Sequence, residues 1–138
     1  MPHTNAGVRT RISDDIVWLA YETALYVHTT GDYELLDTPI AFIEGDSMNI
    51  GQHDAYFQPL QSSKTATLYE HCALALDFAI KRCGKHGLPL ILDGDWNDGM
   101  NLVGIRRNGE STWLGWFLGT TLQAFITIAK NRGDSSHI

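Results

Sequence analysis

The sequence predicts an all-α fold. Three stretches place apolar residues at the three-and-four spacing of an amphipathic helix, long loops join them, and the one strand-like run is short and contains a proline. The first helix spans residues 14–27, with Ile16, Leu19, Ala20, the methyl of Thr23, Ala24 and Val27 on one face. Ser13 is placed to cap it. Asp14 and Asp15 then fall in its first turn, where free N–H groups and the helix dipole favour carboxylates. Gly31 closes this helix, and a second is expected over 32–43 before Gly45, although Pro39 lacks the N–H that an interior position donates.

Residues 46–64 show no sustained period and read as a long loop carrying Tyr56, Phe57 and Pro59; loops of that length inside compact domains are often functional. A helix over 67–81 follows, with Leu68, Cys72, Ala75, Leu76, Ala79 and Ile80 on one side and Gly84 as its stop. The last helix, over 111–131, carries Leu114, Phe117, Leu118, Leu122, Phe125, Ile126 and Ala129, with Lys130 and Arg132 at its carbonyl end and Gly133 beyond. Only residues 88–92 look like a strand, too little to build a sheet.

At 138 residues and 43% hydrophobic composition, without a biased tract or internal repeat, the chain is globular and can remove roughly two-thirds of its surface from water. A net charge of −6 with scattered Lys and Arg argues against nucleic acid. No apolar run approaches the ~20 residues that span a bilayer, and no basic-then-apolar start marks a signal peptide, so no membrane contact by this segment is expected. Cys72 and Cys83, about 16 Å apart on one helix, are too distant to pair, and reduced thiols fit a cytoplasmic protein.

The segment from Leu92 to Asn101 packs Asp93, Asp95, Asp98, Asn97, Asn101, Trp96 and two glycines between helices. Three readings compete. Asp93, Asp95 and Asn97 match the start of an EF-hand calcium loop, but Asp98 and Gly104 stand where that loop needs glycine and a carboxylate. A purely structural polar loop explains the glycines and amides, with Trp96 tucked into the core, yet leaves unexplained an indole flanked by carboxylates. A sugar site explains all of it: the indole face stacks on a pyranose, carboxylates and amides take its hydroxyls, and one crowded acid keeps a proton for a glycosidic oxygen.

The blocks Arg9-Thr-Arg-Ile-Ser-Asp-Asp15, Val17-Trp18-Leu19, Leu68-Tyr-Glu-His-Cys72, His86-Gly-Leu-Pro-Leu90, Gly94-Asp-Trp-Asn-Asp-Gly-Met-Asn101 and Glu110-Ser-Thr-Trp-Leu-Gly-Trp116 together resemble glycoside-hydrolase family 94. That family holds cellobiose and chitobiose phosphorylases, and the likeness extends to the C-terminal region of cyclic β-1,2-glucan synthases and to 1,2-β-oligoglucan phosphorylases. The blocks run in family order, which favours the sugar-site reading.

The resemblance implies part of an (α/α)6 barrel with long connecting loops, residues 1–138 being a fragment of one such catalytic domain. It implies inverting phosphorolysis of β-linked glucans, β-1,2-glucan in particular, giving an α-sugar 1-phosphate. Phosphate is co-substrate and nucleophile, no cofactor or metal is required, and one carboxylic acid suffices because the nucleophile is already an anion. Carried over by position, Asp98 is that acid, and Trp96, Arg9, Asp14 and Asp15 contact the transferred sugar. Asp95, Asn97 and Glu70 stand behind them as supporting residues. Taken alone, Arg9 and Asp15 would read as a surface ion pair beside a capped helix.

The family's phosphate-binding histidine and hydroxyl loop fall after the last block, and an (α/α)6 barrel takes more helices than the four or five read here. The chain by itself is therefore expected to be inactive and to need the remaining barrel helices of a longer protein, which in a synthase would be attached to the inner membrane through other regions. An inverting hydrolase and a non-catalytic sugar-binding remnant are the alternatives. His71 reads as a buried, hydrogen-bonded helix histidine, Trp113 and Trp116 as core, and Arg132-Gly-Asp134 as a helix terminus; His53 with Asp54 lacks metal-ligand spacing.

Overall fold

A computed structural model describes residues 5–138, and of Asp98 the backbone alone. It corrects the all-α expectation. The fold is mixed α/β, with three α-helices and two antiparallel two-stranded sheets among the described residues. In chain order these are β1 (Gly7–Thr10), α1 (Asp15–Thr30), a 3-10 turn (Glu34–Asp37), β2 (Pro39–Glu44), β3 (Asp54–Phe57), β4 (Leu60–Thr67) and α2 (Leu68–Ile80). A 3-10 turn (Asp98–Met100), α3 (Thr112–Arg132) and a closing 3-10 turn (Ser135–His137) complete it.

The helix expected over 32–43 gives way at its proline. Thr38 is extended, with φ −63° and ψ 121°, as the residue before a proline prefers. Pro39 takes the first position of β2, where a missing N–H is tolerated, and Ile40, Phe42 and Ile43 are types that suit a pleated surface. β2 pairs with β4, Pro39 opposite Thr67 and Ile40 opposite Ala66. Inside the segment read as loop, β3 pairs with β1, Phe57 opposite Gly7 and Ala55 opposite Arg9. Conversely, residues 88–92 form only isolated bridges, Pro89 to Cys83, Leu90 to Glu110 and Leu92 to Ile12, and Pro89 has no N–H to extend a ladder.

The core sits between the helices. Val17, Ala20, Ala24 and Val27 of α1, Cys72, Leu76 and Ala79 of α2, and Leu114, Leu118, Phe125 and Ile128 of α3 are buried around Leu36. α1 packs on both others, and its small side chains allow close approach. Val17 faces inward where Leu19 was expected; Leu19 is exposed. His28 Nε2 lies 3.1 Å from the Ala124 carbonyl oxygen, and Asn131 donates to the Tyr33 hydroxyl, so α1 and α3 run in the same direction. Their N-termini share one end of the bundle.

The helix ends explain most of the boundaries. Thr67 and Glu70 form a capping box on α2, the Glu70 carboxylate accepting from the Thr67 N–H at 2.7 Å. Ser111 Oγ accepts from Leu114 N–H at the start of α3, and Gly31 and Gly133 take the left-handed conformation that ends α1 and α3. Two expected caps are corrected. Asp14, not Ser13, is the cap position of α1; it makes no side-chain capping bond, and the Ser13 hydroxyl donates to the Gly94 carbonyl. α2 ends at Lys81, and the Gly84 N–H serves Leu88.

At the far end of the bundle, Asp134 accepts from the Tyr69 hydroxyl at 2.8 Å and from the Ser136 N–H at 3.0 Å, with His137 Nδ1 2.8 Å away. The Ser136 hydroxyl, then His137 and Tyr69, hold the Asp134 carboxyl well below the usual range. Burial, then Asp134, pushes the Tyr69 phenol up to about 12. The Arg132-Gly-Asp134 segment is thus a helix terminus. His71 lies 3.0 Å from the Ile40 carbonyl oxygen and packs on Phe42. Trp113 packs against the core, but Trp116 is 80% exposed, contrary to the core reading. Both cysteines are free, and burial raises the Cys72 thiol.

Candidate functional site

Residues 92–101 dock on the junction between β1 and α1. Ile12 bridges Leu92, the Asp93 N–H donates to the Arg11 carbonyl, and both the N–H and the hydroxyl of Ser13 donate to the Gly94 carbonyl at 2.9 Å. Asp93 clamps the base of the loop: Arg107 NH1 is 2.8 Å and His53 Nδ1 3.0 Å from its carboxylate. The return strand of this loop passes so close that a Cβ at Gly104 would fall on the Leu92 carbonyl oxygen, which restricts that position to glycine.

Two carboxylates are buried at this junction, one in the loop and one at the start of α1. Asp95 is 1% exposed and accepts from the Ser111 hydroxyl at 2.5 Å and from the Asn97 N–H at 2.9 Å, with the Asn97 amide at 3.4 Å. Through Ser111, which also caps α3, it ties the loop to the end of that helix. Asp14 is 3% exposed; its Oδ2 accepts from Trp18 Nε1 at 2.9 Å, while Oδ1 is buried without a partner among the described residues. Burial raises the Asp14 pKa, and the negative Asp15 and Asp95 add to that, against the lowering effect of the Trp18 bond.

The indole of Trp96, which follows Asp95 in the chain, is 66% exposed, so it is not the core residue of the polar-loop reading. Its ring centroid lies 6.0 Å from Trp18 and 6.4 Å from Trp113, nearly parallel to the latter at 22°. Trp18 also contacts Phe117 at 4.5 Å and Tyr21 at 5.8 Å, so the platform is backed by rings from α1 and α3.

The remaining predicted residues divide. Arg9 and Asp15 line a cleft of about 800 Å³ with Arg11, Arg82 and Arg107; Trp96 is not in its lining. The Arg9 guanidinium lies 5.1 Å over the Phe57 ring, and Asp15 accepts from the Thr10 hydroxyl at 2.5 Å, so the two form no ion pair. Glu70 is occupied in the capping box of α2 and borders a different cavity, away from the others. The Asp98 side chain lies outside the described residues; its backbone opens the 3-10 turn after Asn97. Sequence reasoning gave no role to Trp18, Ser111 or Asp93. The four-residue spacing from Asp14 to Trp18 on one helix was the available signal for the first.

Near the N-terminal ends of α1 and α3, two buried acids, an amide and an exposed indole thus lie within one loop-and-helix junction. The chain belongs to the glycosyl hydrolase 94 superfamily, whose catalytic-domain profile matches residues 2–138. It is 51% identical over its whole length to the cyclic β-(1,2)-glucan synthase NdvB of Rhizobium meliloti. It is 34% identical over 91% of its length to a 3-O-β-D-glucopyranosyl-β-D-glucuronide phosphorylase of Paenibacillus borealis, and 30% identical over 96% to an N,N'-diacetylchitobiose phosphorylase of Vibrio furnissii. The chain spans 5% of the length of the synthase and 14% of that of each phosphorylase. No helix among the described residues is long and apolar enough to cross a membrane.

Proposed function

We propose that this chain forms part of the catalytic domain of an inverting glycoside phosphorylase acting on β-linked glucans, β-1,2-glucan first among them. An oxygen of inorganic phosphate bonds to the anomeric carbon as the glycosidic C–O bond breaks on the opposite face. Asp98 gives its proton to the departing oxygen, leaving an α-sugar 1-phosphate and a shortened glucan. Trp96 stacks on the transferred ring, Arg9, Asp14 and Asp15 take its hydroxyls, and Asp95 with Asn97 holds the loop in shape.

The observation that carries this reading is the buried, unpartnered oxygen of Asp14, whose other oxygen is bonded to Trp18, the ring that packs on the exposed indole of Trp96. A buried acceptor without a donor costs about 1–3 kcal/mol, which a sugar hydroxyl would recover. Family membership and the synthase and phosphorylase relatives support the same chemistry. Because the chain spans so little of those relatives, the rest of the domain completes the site, and the isolated chain does not turn over. The free thiols of Cys72 and Cys83 favour a cytoplasmic setting.

In the active protein that carries this chain, sugar 1-phosphate formation should require phosphate, and Asp98→Asn should lower kcat by roughly 10²–10⁴-fold. Sugar release with water in place of phosphate would mark a hydrolase. Unchanged turnover in the Asp98→Asn variant would leave sugar binding alone.

A further inference from the structure

We infer that Trp18 is a positioning residue: its indole N–H fixes the Asp14 carboxylate with one oxygen turned free for a sugar hydroxyl, while its ring backs the Trp96 platform. The inference rests on the proposed sugar site and assigns a residue to it. Trp18 and Asp14 are one turn apart on α1, and Trp18 Nε1 is the side-chain donor to the Asp14 carboxylate, on Oδ2, while Oδ1 is buried without a partner among the described residues. A carboxylate that is 3% exposed and bound at one oxygen can still rotate about its last bond unless its donor is itself immobile. Here the donor is held by Phe117 at 4.5 Å, Tyr21 at 5.8 Å and Trp96 at 6.0 Å, ring to ring.

The charged groups acting on Asp14 are Asp15 on its own helix and Asp95 on the docked loop, both negative. Neither offers a proton when ionised, so both charges disfavour the ionised carboxylate, and a donor reaching its unpartnered oxygen would offset them. The same indole that orients this oxygen supports the ring on which the pyranose would lie. The hydroxyl contact and the stacking surface are therefore set by one side chain.

The test is a cycle in the active protein. Trp18→Phe keeps a ring and removes the donor; the glucan KM should rise about tenfold or more, the worth of a hydrogen bond to a charged group, with kcat within about threefold. Combined with Asp14→Asn, it should add little, because both changes act through one contact. An unchanged KM, or a Trp18→Phe penalty that persists in full on the Asp14→Asn background, overturns the inference and shows a packing role. Should Trp18→Phe not fold, the indole N–H proton resonance of the unaltered chain serves: it should shift with a titration above the ordinary aspartate range that Asp14→Asn abolishes, and a pH-independent resonance overturns the inference. Turnover that survives Asp98→Asn would defeat the proposed function by itself, whatever these variants do.

Discussion

The two ends of the helical bundle treat their acids in opposite ways. At the far end, Asp134 is surrounded by donors from Tyr69, Ser136 and His137, and its carboxyl is held below the usual range. At the near end, Asp14 is buried with a Trp18 donor on one oxygen, no partner for the other among the described residues, and two negative neighbours, and its carboxyl is held above the usual range. The first arrangement stabilises the ionised acid and the fold with it; the second leaves an acceptor unsatisfied. An end built only to hold the chain together has no reason to keep such an atom, which is why the near end reads as the one that meets a ligand.

The comparison breaks most severely at the ring on which the far end rests. Tyr69 stacks on Phe125 at 5.2 Å, and Phe125 is 2% exposed, so Phe125→Ala should cost about 3–5 kcal/mol, read as a lower urea midpoint. The near end is joined to the bundle more lightly. Ser111→Ala removes both the cap of α3 and the hydroxyl on Asp95, and should cost about 1–2 kcal/mol while leaving the far end intact to amide exchange.

The smallest effects carry the sharpest contrast, because they differ in sign. The depressed Asp134 contributes stability above about pH 4 that is lost as pH falls through its folded value, so Asp134→Asn should destabilise at pH 7 and flatten the acid limb. The raised Asp14 opposes folding once ionised, and that opposition is relieved as pH falls through its folded value. Asp14→Asn should therefore be neutral or stabilising at pH 7, by up to about 1 kcal/mol, in urea titrations that compare the two variants at pH 7 and pH 3.

The three long helices were legible because their apolar residues repeat over several turns, and their ends because Gly31, Ser111 and Gly133 do what their chemistry favours. The strands were not. β2 is six residues, begins with a proline and has neither face fully buried, so no alternation marks it. β3 is four residues, and its partner β1 lies far away in sequence. At the site, the Asp-Trp-Asn loop stands out by composition alone, but nothing local says that Trp96 points outward or that Asp14 is buried with one oxygen alone; both are set by packing between α1, α3 and the loop. Glu70 has a local use that the sequence also carries: Thr67-x-x-Glu70 is the pattern of a capping box, and the structure forms it.

The inequality of the two thiols offers a handle. Cys72 is sealed in the core with its proton held more tightly, whereas Cys83 is partly accessible and follows Arg82, a residue of the cationic cleft. A maleimide dye at neutral pH should label Cys83 first, so the unaltered chain accepts a fluorophore beside that cleft without an engineered cysteine, ready to report whatever enters it.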